Sequence, residues 1–377
     1  MRKSTVCIIH EAIGSHNAIA KITMDSVRQA LKAGFNVTVV AKFLDESLKG
    51  QVEWLPLFVP PRLFLFQWLS ARPAILAALG KRKFDVIHVN QPQVASIADV
   101  MQCHFLTRVA YERHCLETRH GIRPAIVRIQ QQGVLHAEDF FYRHLNPKTR
   151  MVFCSEMLQN DFHKLYGRPN NEAVLSYSFP PINFPTENER NDARVATLGG
   201  VHKDIIVGYL GGIDERKGYR RLIKALEGEN NIFLLIGGIY TDDFVAPTLK
   251  GRFKAVGLVS DTATFYAACD VFIVPSIFDP LPLAVFEAVS RGVPVIVSEN
   301  VGTLPHLLKY NAGVCWKENE PLVPLIYKVI SQKAVFNAGA RRMAEELSEE
   351  VYGRNLLKIY EEVLNEKHNY NGKDRTL

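Results

Sequence analysis

The sequence predicts an α/β protein built from two doubly wound domains, each with a parallel sheet. Short apolar runs alternate with segments of helical periodicity through the first half of the 377-residue chain. At residues 178–192 (SFPPINFPTENERND) three prolines and several polar residues interrupt the alternation, which then begins again. Strand–helix alternation is typical of a parallel sheet with helices on both faces, and a proline-rich polar break is typical of an interdomain linker.

The first domain, at residues 1–184, is predicted to contain several strands and a well-bounded first helix. A strand is expected first, then a helix over residues 18–33 that ends at Gly34, a favoured residue just past a helix C-terminus. Four apolar runs are predicted as strands: Val6–His10, Asn36–Ala41, Phe84–Asn90 and Met151–Ser155.

The second domain, at residues 185–350, repeats the same alternation. Its predicted strands are Ile205–Leu210, Ile232–Ile236, Val271–Pro275 and Val293–Ser298, and Phe253–Leu258 leads into a helix. Its predicted helices are Tyr219–Glu227, Thr262–Ala268 and Leu283–Arg291. A last segment, residues 351–377, contains an amphipathic helix at Val351–Leu364. Ligands of such folds bind at the carboxyl ends of strands, so two domains facing a central cleft would present both sets of strand ends to one ligand.

Composition indicates a soluble globular protein, with 47% hydrophobic and 22% charged residues. The six cysteines are scattered and form no CxxC, which favours free thiols and a cytoplasmic location. The N-terminus is predicted as a strand rather than a signal peptide. The apolar region 55–79 contains four prolines, which argues against a continuous membrane-spanning helix.

Charge is distributed unevenly along the chain. Residues 1–190 hold 23 Lys and Arg against 16 Asp and Glu, a net charge of +7, whereas the remainder holds 22 against 23, a net charge of −1. A basic first half favours an anionic membrane or an acidic acceptor as its partner. Nucleic acid ranks last as a partner, because the sequence has no zinc-finger spacing and no aromatic RNA-binding signature.

The segment from Pro275 to Val295 (PSIFDPLPLAVFEAVSRGVPV) carries the most chemistry. A strand would deliver a loop with Asp279, and Pro282 suits the start of a helix. The backbone amides of three residues would then be free donors for a diphosphate: Leu283, Ala284 and Val285. Asp279 and Glu287 could bind sugar rings on either side of it. Equally, Asp279 caps the helix and Glu287 is a solvated helical residue.

A second segment, Val207–Gly218 (VGYLGGIDERKG), places two glycines and two cations at a strand end. Backbone can approach a ligand closely at Gly211 and Gly212. Arg216 and Lys217 could neutralise a diphosphate leaving group, or form a solvated basic turn. The spacing is not GxGxxG, so a dinucleotide fold is not predicted here.

These segments together resemble the retaining glycosyltransferases of family 4, which have the GT-B fold. The resemblance covers most of residues 201–300. It rests on Leu210–Gly218, on Gly257–Ser276 (GLVSDTATFYAACDVFIVPS), on the spacing of Asp279 and Glu287, and on Glu287–Val295 (EAVSRGVPV).

The resemblance implies roles for individual residues. Lys217 would contact the donor diphosphate, Glu287 the nucleotide ribose, and Asp279 the donor sugar or the transition state. Val259, Leu283 and Ala284 would also lie against the donor. The final helix resembles the helix that in this family crosses back to the first domain.

The sequence departs from the family pattern at three positions. Gly212 stands where the family usually has Arg, and Arg216 is a substitute that could reach the phosphates. Asp279 stands where Glu is usual, one methylene shorter. Pro282 replaces the usual Gly before the helix.

In the first domain the resemblance is carried by two residues. Gly14, in the loop HEAIGSHN, is similar to the family's glycine loop under the diphosphate and acceptor. His104, in ADVMQCHF, lies where the family commonly has a histidine beside the donor sugar. Alternatively, His104 is only a hydrogen-bonded residue at a strand end.

Metal sites are not expected. The CH-x9-HC spacing at Cys103, His104, His114 and Cys115 is not that of a structural zinc site. Asp242-Asp243 is not a DxD metal motif in its context, and the family works without an essential cation.

The resemblance therefore implies a retaining glycosyltransferase. It would move a sugar from a UDP- or GDP-linked donor to a hydroxyl of a glycan or lipid-linked acceptor of the cell envelope, without a cofactor. The alternatives are a sugar-nucleotide epimerase or phosphorylase on the same fold, and a catalytically weak nucleotide-binding scaffold. The basic arginines at 108, 113, 119, 123 and 128, with Phe58, Phe64, Phe66 and Trp68, suggest peripheral docking on an anionic membrane. Equally, these aromatic residues fill the core.

Overall fold

The computed structural model describes residues 3–14, 17–58, 64–113, 124–200, 204–211, 214–240 and 246–373. At residues 64–68, 124–128, 239–240 and 370–373 it describes the backbone alone. The chain forms two compact units. Unit 1 comprises the described parts of Met1–Val109, Thr118–Tyr177 and Glu350–Leu377, and unit 2 those of Ala110–Glu117 and Ser178–Glu349.

Unit 1 is a parallel sheet with helices. Its strands are β1 (Thr5–Ile9), β2 (Ala12–Ile13), β3 (Asn36–Ala41), β4 (Phe43–Leu44), β5 (Glu53–Pro56), β6 (Val86–Val89), β7 (Val100–Cys103), β8 (Arg150–Phe153) and β9 (Asn171–Val174). Among the described residues, seven strands pair in the order β5-β3-β1-β6-β7-β8-β9, all parallel, and β2 pairs with β4 separately. The helices are α1 (Ala18–Lys32), α2 (Phe64–Leu79), α3 (Thr107–Glu112, which continues into unit 2), α4 (Pro124–Arg143) and α5 (Glu156–Tyr166).

The first helix begins and ends as its sequence predicts. The Asn17 side chain accepts the Ala20 N–H, which caps α1 at its N-terminus. Gly34, with φ of +84°, follows the C-terminus in the left-handed region. β1 is fully buried from Val6 to Ile9, as expected for a central strand of a parallel sheet covered on both faces.

The last helix of the chain, α13 (Glu349–Lys373), packs within unit 1. Two buried tyrosines attach it by hydrogen bonds: Tyr352 Oη lies 2.8 Å from Ser26 Oγ, and Tyr360 Oη lies 2.7 Å from His88 Nδ1. Gly353 lets the helix approach α1, since a Cβ there would lie 2.1 Å from Gln29 Oε1. α13 is longer at both ends than the predicted helix at Val351–Leu364.

Unit 2 repeats the architecture. Its strands are β10 (Ile205–Leu210), β11 (Ile232–Gly237), β12 (Ile239–Tyr240), β13 (Phe253–Gly257), β14 (Val271–Val274), β15 (Val295–Ser298) and β16 (Gly313–Trp316), in the sheet order β12-β13-β11-β10-β14-β15-β16. β12 is antiparallel to β13, and the other neighbours are parallel. The helices are α6 (Glu187–Leu198), α7 (Tyr219–Ala225), α8 (Thr262–Ala268), α9 (Leu283–Ser290), α10 (Leu304–Tyr310), α11 (Leu322–Ser331) and α12 (Lys333–Glu346).

The predicted linker at residues 178–192 is wrong in its second half, because α6 begins there. Thr186 Oγ1 accepts the Glu189 N–H, and the Glu189 carboxylate accepts the Thr186 N–H, which together form a capping box. The buried Arg190 then donates to Cys269 O and to Asp270, tying α6 to the start of β14. The two units divide between Tyr177 and Ser178, whereas the sequence predicted a boundary after residue 184.

In the described part of the chain, no helix is both long enough and apolar enough to cross a membrane. The apolar region that contains α2 includes Pro73 within the helix. The five described cysteines are free thiols, four of them buried.

Candidate active site

In unit 2 the loop that carries Arg216 and Lys217, which we call the cationic loop, lies at the carboxyl end of β10. Glu215–Lys217 form one turn of 3-10 helix, and the Asp214 carboxylate caps it by accepting the Arg216 N–H. Gly218 follows with φ of +71°, and a Cβ there would lie 2.0 Å from Pro275 O. Only glycine fits this position, so the turn that carries Arg216 and Lys217 packs directly against the end of β14.

The loop after β14 holds Asp279 by its backbone. Asp279 N donates to Asn300 O at 3.1 Å, and Gly302 N donates to Asp279 O at 2.8 Å. Ile277 N donates to Arg216 O at 2.8 Å, which joins this loop to the cationic one. β14 is the sheet neighbour of both β10 and β15, and this order brings the three loops together.

Four charged side chains meet there, and they form what we call the ionic cluster: Asp214, Arg216, Lys217 and Asp279. Lys217 Nζ lies 2.6 Å from Asp279 Oδ2, and Arg216 Nη1 lies 3.8 Å from the same oxygen. Arg216 also pairs with Asp214 at 3.0 Å and donates to Phe278 O. The cluster holds two cations and two carboxylates, so an anionic ligand would compete with Asp279 for Lys217.

Asp279 does not cap the following helix, which the sequence allowed. The N-cap of α9 is Pro282, without a side-chain hydrogen bond. Leu283 and Ala284 occupy the first turn, where N–H groups have no intrahelical acceptor. Val285, expected as a third free donor, instead donates to Pro282 O at 3.2 Å, because the chain closes a tight turn there.

Glu287 lies in the second turn of α9 and is half-buried. Its carboxylate accepts a hydrogen bond from Tyr266 Oη at 3.2 Å. Burial and then the Glu287 charge raise the pKa of Tyr266 well above its ordinary value, so the phenol keeps its proton and donates. Glu287 is therefore oriented by a buried partner.

Two further predicted donor residues lie at the same edge of the sheet. Gly211 N donates to Gly237 O, and a Cβ on Gly211 would lie 3.2 Å from Lys217 Cγ. Val259 packs over Gly237, where a Cβ would lie 2.7 Å from Val259 Cγ2. Gly212 lies outside the described residues.

In unit 1, Gly14 and His104 lie at the carboxyl ends of strands. Gly14 is buried with φ of +153°, in the region that favours glycine, and its N–H donates to Ala20 O. His104 follows β7 and is 7% exposed. Its Nδ1 lies 2.7 Å from Tyr177 Oη and its Nε2 lies 3.3 Å from Asn90 Oδ1. Burial, with smaller contributions from His10 and His88, lowers the pKa of His104 well below its ordinary value.

Among the described residues, no group of three or more His, Cys, Asp or Glu side chains could hold a metal ion. Of the weighed zinc ligands, Cys103 contacts Tyr142 Oη, and His114 and Cys115 lie outside the described residues. Asp242 and Asp243 lie outside them as well.

Four residues of these two sites were not singled out from sequence: Asn90, Tyr177, Asp214 and Tyr266. Tyr266 is the tyrosine of the Y-x-x-x-D-V stretch, so the motif itself carried the signal. Asp214 stands two residues before Arg216, as a capping residue does. Asn90 and Tyr177 lie 14 and 73 residues from His104 and had no local signal.

Comparison with known protein families gives one match in each of the two units. The family model described as Glycosyltransferase Family 4 matches residues 19–177, and that described as Glycosyl transferases group 1 matches residues 194–350. The uncharacterized glycosyltransferase MJ1607 of Methanocaldococcus jannaschii is 24% identical over 277 residues, covering 69% of this chain and 68% of the relative.

Two more similarities extend this picture. The UDP-Gal:alpha-D-GlcNAc-diphosphoundecaprenol alpha-1,3-galactosyltransferase of Escherichia coli is 21% identical over 307 residues, 75% of this chain and 76% of the relative. Sucrose-phosphate synthase from Thermosynechococcus elongatus superposes with a TM-score of 0.75 at 17% identity, covering 96% of this chain and 100% of that structure. The chain therefore has the GT-B fold, and the two family matches, one over each unit, show that it belongs to the group 1 glycosyltransferases.

Proposed function

We propose that the enzyme transfers a sugar from a UDP- or GDP-linked donor to a hydroxyl of a glycan or lipid-linked acceptor, with retention of the anomeric configuration. The ionic cluster carries this proposal, because it holds Lys217 and Arg216 against Asp279, four residues before the first residue of α9. Cations and the free N–H groups of a helix N-terminus both suit a diphosphate. The Escherichia coli relative, by its name, uses UDP-Gal and a diphosphoundecaprenol-linked acceptor, which supports synthesis of a cell-envelope polysaccharide or glycolipid.

The proposed chemistry is a front-face displacement. The bond from the sugar C1 to the diphosphate oxygen breaks, and the acceptor oxygen bonds to C1 on the same face. The acceptor proton passes to the leaving diphosphate, whose growing charge Lys217 and the amides of Leu283 and Ala284 stabilise. Asp279 is paired with Lys217 at 2.6 Å, which weakens it as a covalent nucleophile. Glu287, held by Tyr266, would bind the ribose hydroxyls.

A panel of UDP- and GDP-sugars, followed by NMR with simple alkyl glycosides as acceptors, tests the proposal. Transfer with retained configuration is expected from wild type and not from Lys217→Ala. Lys224→Ala, an exposed lysine on the neighbouring α7, is the matched control. An inverted product would contradict the retaining mechanism. A free isomerised nucleotide sugar would indicate an epimerase, and binding without turnover a scaffold.

The reaction is proposed to need no metal and no other cofactor. Excess EDTA is therefore expected to leave the turnover of the best donor in the panel unchanged. Loss of turnover with EDTA, restored by Mg²⁺ or Mn²⁺, would overturn this part of the proposal.

We place the enzyme in the cytoplasm, docked peripherally on the inner face of the cytoplasmic membrane. The +7 charge of residues 1–190 and Phe58, which is 82% exposed, support this placement. Phe58 is not a core residue, contrary to the alternative considered for these aromatics. Arg108 contributes less than expected, since it pairs with Asp139. Arg119 and Arg123 lie outside the described residues, as do the side chains of Arg128, Phe64, Phe66 and Trp68.

Sedimentation with anionic and neutral vesicles at low and high salt tests the docking. Binding is expected only with anionic lipid, and salt should weaken it by screening. Arg119→Glu with Arg123→Glu should reduce binding more than the control pair Lys81→Glu with Lys148→Glu, two exposed lysines of unit 1. Equal recovery in the supernatant under every condition would contradict the placement.

A further inference from the structure

The hydrogen bonds around His104 have a direction that the structure determines. Both imidazole nitrogens are engaged, Nδ1 by Tyr177 Oη at 2.7 Å and Nε2 by Asn90 Oδ1 at 3.3 Å. In a neutral imidazole one nitrogen carries the hydrogen and donates, and the other accepts. The partners of the two nitrogens therefore decide which tautomer is present.

The direction starts at α1. The Thr23 hydroxyl lies 2.7 Å from Ile19 O, a carbonyl that can only accept, so the single Thr23 hydrogen is used there. Thr23 Oγ1 must then accept in its second contact, 2.8 Å from the Asn90 amide. The Asn90 group that faces Thr23 is consequently Nδ2, a donor. This sets the orientation of the amide and leaves Asn90 Oδ1 toward His104.

The same logic continues through the ring. Asn90 Oδ1 can only accept, so His104 Nε2 carries the hydrogen. Burial keeps the ring neutral by lowering the pKa of His104, so Nδ1 is bare and accepts from the Tyr177 hydroxyl. Four hydrogen bonds thus run in one direction, from Tyr177 through His104, Asn90 and Thr23 to the carbonyl of Ile19.

We propose that Tyr177, Asn90 and Thr23 are positioning residues that hold His104 in its Nε2–H tautomer, as a hydrogen-bond donor to an oxygen of the transferred sugar. The contact from Nε2 to Asn90 is longer than the usual 2.9–3.0 Å, which leaves this N–H able to share its hydrogen with a ligand. Nδ1, the nitrogen without a hydrogen, accepts the hydrogen bond from the Tyr177 hydroxyl. His104 therefore does not take the proton of the acceptor hydroxyl. The link to a sugar rests on the proposed function, whereas the tautomer does not.

NMR of enzyme labelled with ring-¹⁵N histidine tests the tautomer without any substrate. His104→Gln identifies the His104 signals by their loss. Wild type at neutral pH is expected to show a neutral ring with the hydrogen on Nε2. Asn90→Leu removes the acceptor of that hydrogen, so the hydrogen should move to Nδ1 and be donated to Tyr177. Tyr177→Phe should leave it on Nε2, as should the control Asn170→Leu, an exposed asparagine of the same unit.

Three results would overturn the assignment: a doubly protonated ring, a hydrogen on Nδ1 in wild type, or an unchanged tautomer in folded Asn90→Leu. If Asn90→Leu does not fold, Asn90→Asp replaces it with little change in volume. A carboxylate there would favour the charged ring, so a doubly protonated His104 is expected at a higher pH than in wild type. No change in Asn90→Asp would also contradict the proposal.

Kinetics then test the donor role. A glutamine side chain can donate a hydrogen bond through its N–H, but it cannot act as a general base for the proton of the acceptor hydroxyl. His104→Gln should therefore keep about tenfold more kcat than His104→Leu, with the Kd of the free nucleotide unchanged in both. Equal loss in the two variants would sink the donor role. If wild type turns over no nucleotide sugar at all, the proposed function fails while the tautomer result still stands.

Discussion

The carboxyl ends of the two sheets differ in electrostatic character, since one carries ion pairs and the other a neutral hydrogen-bonded histidine. In unit 2 the strand ends carry the ionic cluster, with Lys217 paired to Asp279 and Arg216 to Asp214. In unit 1 the strand ends carry His104 in a chain of neutral hydrogen bonds, in a setting where burial disfavours charge. Strand ends of one architecture can thus carry either charged side chains or a neutral side chain. The first kind depends on ion pairs, and the second on the direction of hydrogen bonds.

The largest effect is expected from the ionic cluster. Lys217→Ala should reduce kcat by roughly 10²–10³-fold, the usual cost of removing one preorganised group that stabilises transition-state charge. Donor KM should change less, because the charge on the diphosphate grows only as the bond breaks. Steady-state kinetics with the best donor measure both, beside Lys224→Ala. A change confined to the melting temperature would make Lys217 a structural residue.

A smaller effect is expected at Glu287. Glu287→Gln should raise donor KM roughly 10- to 100-fold, since a hydrogen bond to a charged group contributes about 1.5–3 kcal/mol. Tyr266→Phe, which removes the donor to Glu287 at 3.2 Å and leaves the carboxylate, should raise KM less. Equal donor KM in Glu287→Gln and wild type would contradict the assignment of Glu287 to the ribose. It would also weaken the contrast between the charged site of unit 2 and the neutral site of unit 1.

The proximity of the charged residues in unit 2 could be expected from the sequence, because these residues follow strands directly. Arg216 and Lys217 stand after β10, and Asp279 stands after β14, so neighbouring strands bring them together. The hydrogen-bond chain of unit 1 could not be predicted in this way. Tyr177 lies 73 residues from His104 and follows an edge strand, so only the folded chain shows that they meet.

The errors at the unit boundary have a different cause. Prolines at 180, 181 and 185 are typical of a linker, and the polar run that follows them hides a helix start. The T-x-x-E spacing of Thr186 and Glu189 was the local signal for the start of α6. The prediction instead followed the proline-rich, polar composition of the segment. The expected free amide of Val285 was wrong for a similar reason, since the geometry of the turn at Pro282 is not readable from residue types.

The unit 1 side of the comparison predicts a pH effect on stability. Burial lowers the pKa of His88 to about 4, below the value of about 6.5 in an unfolded chain. Between these values the unfolded chain binds more protons, so stability falls as pH falls from 7 to 5, by about 2 kcal/mol for this one group. Urea unfolding at both pH values measures it. His88→Gln should lose less stability over this range than wild type, and an identical loss would contradict the account.

The smallest effect concerns where unit 2 begins. Thr186→Ala removes the side-chain acceptor for the Glu189 N–H and should cost about 1 kcal/mol of stability. Because α6 is tied to β14 through Arg190, the loss should appear as faster hydrogen exchange of unit 2 amides. Amides of β1 and β6 in unit 1 should exchange as in wild type. Thr197→Ala, in the last turn of the same helix, is the control for the change of residue type. Equal loss of stability in both variants, or unchanged exchange in unit 2, would mean that the capping box does not stabilise α6 within unit 2.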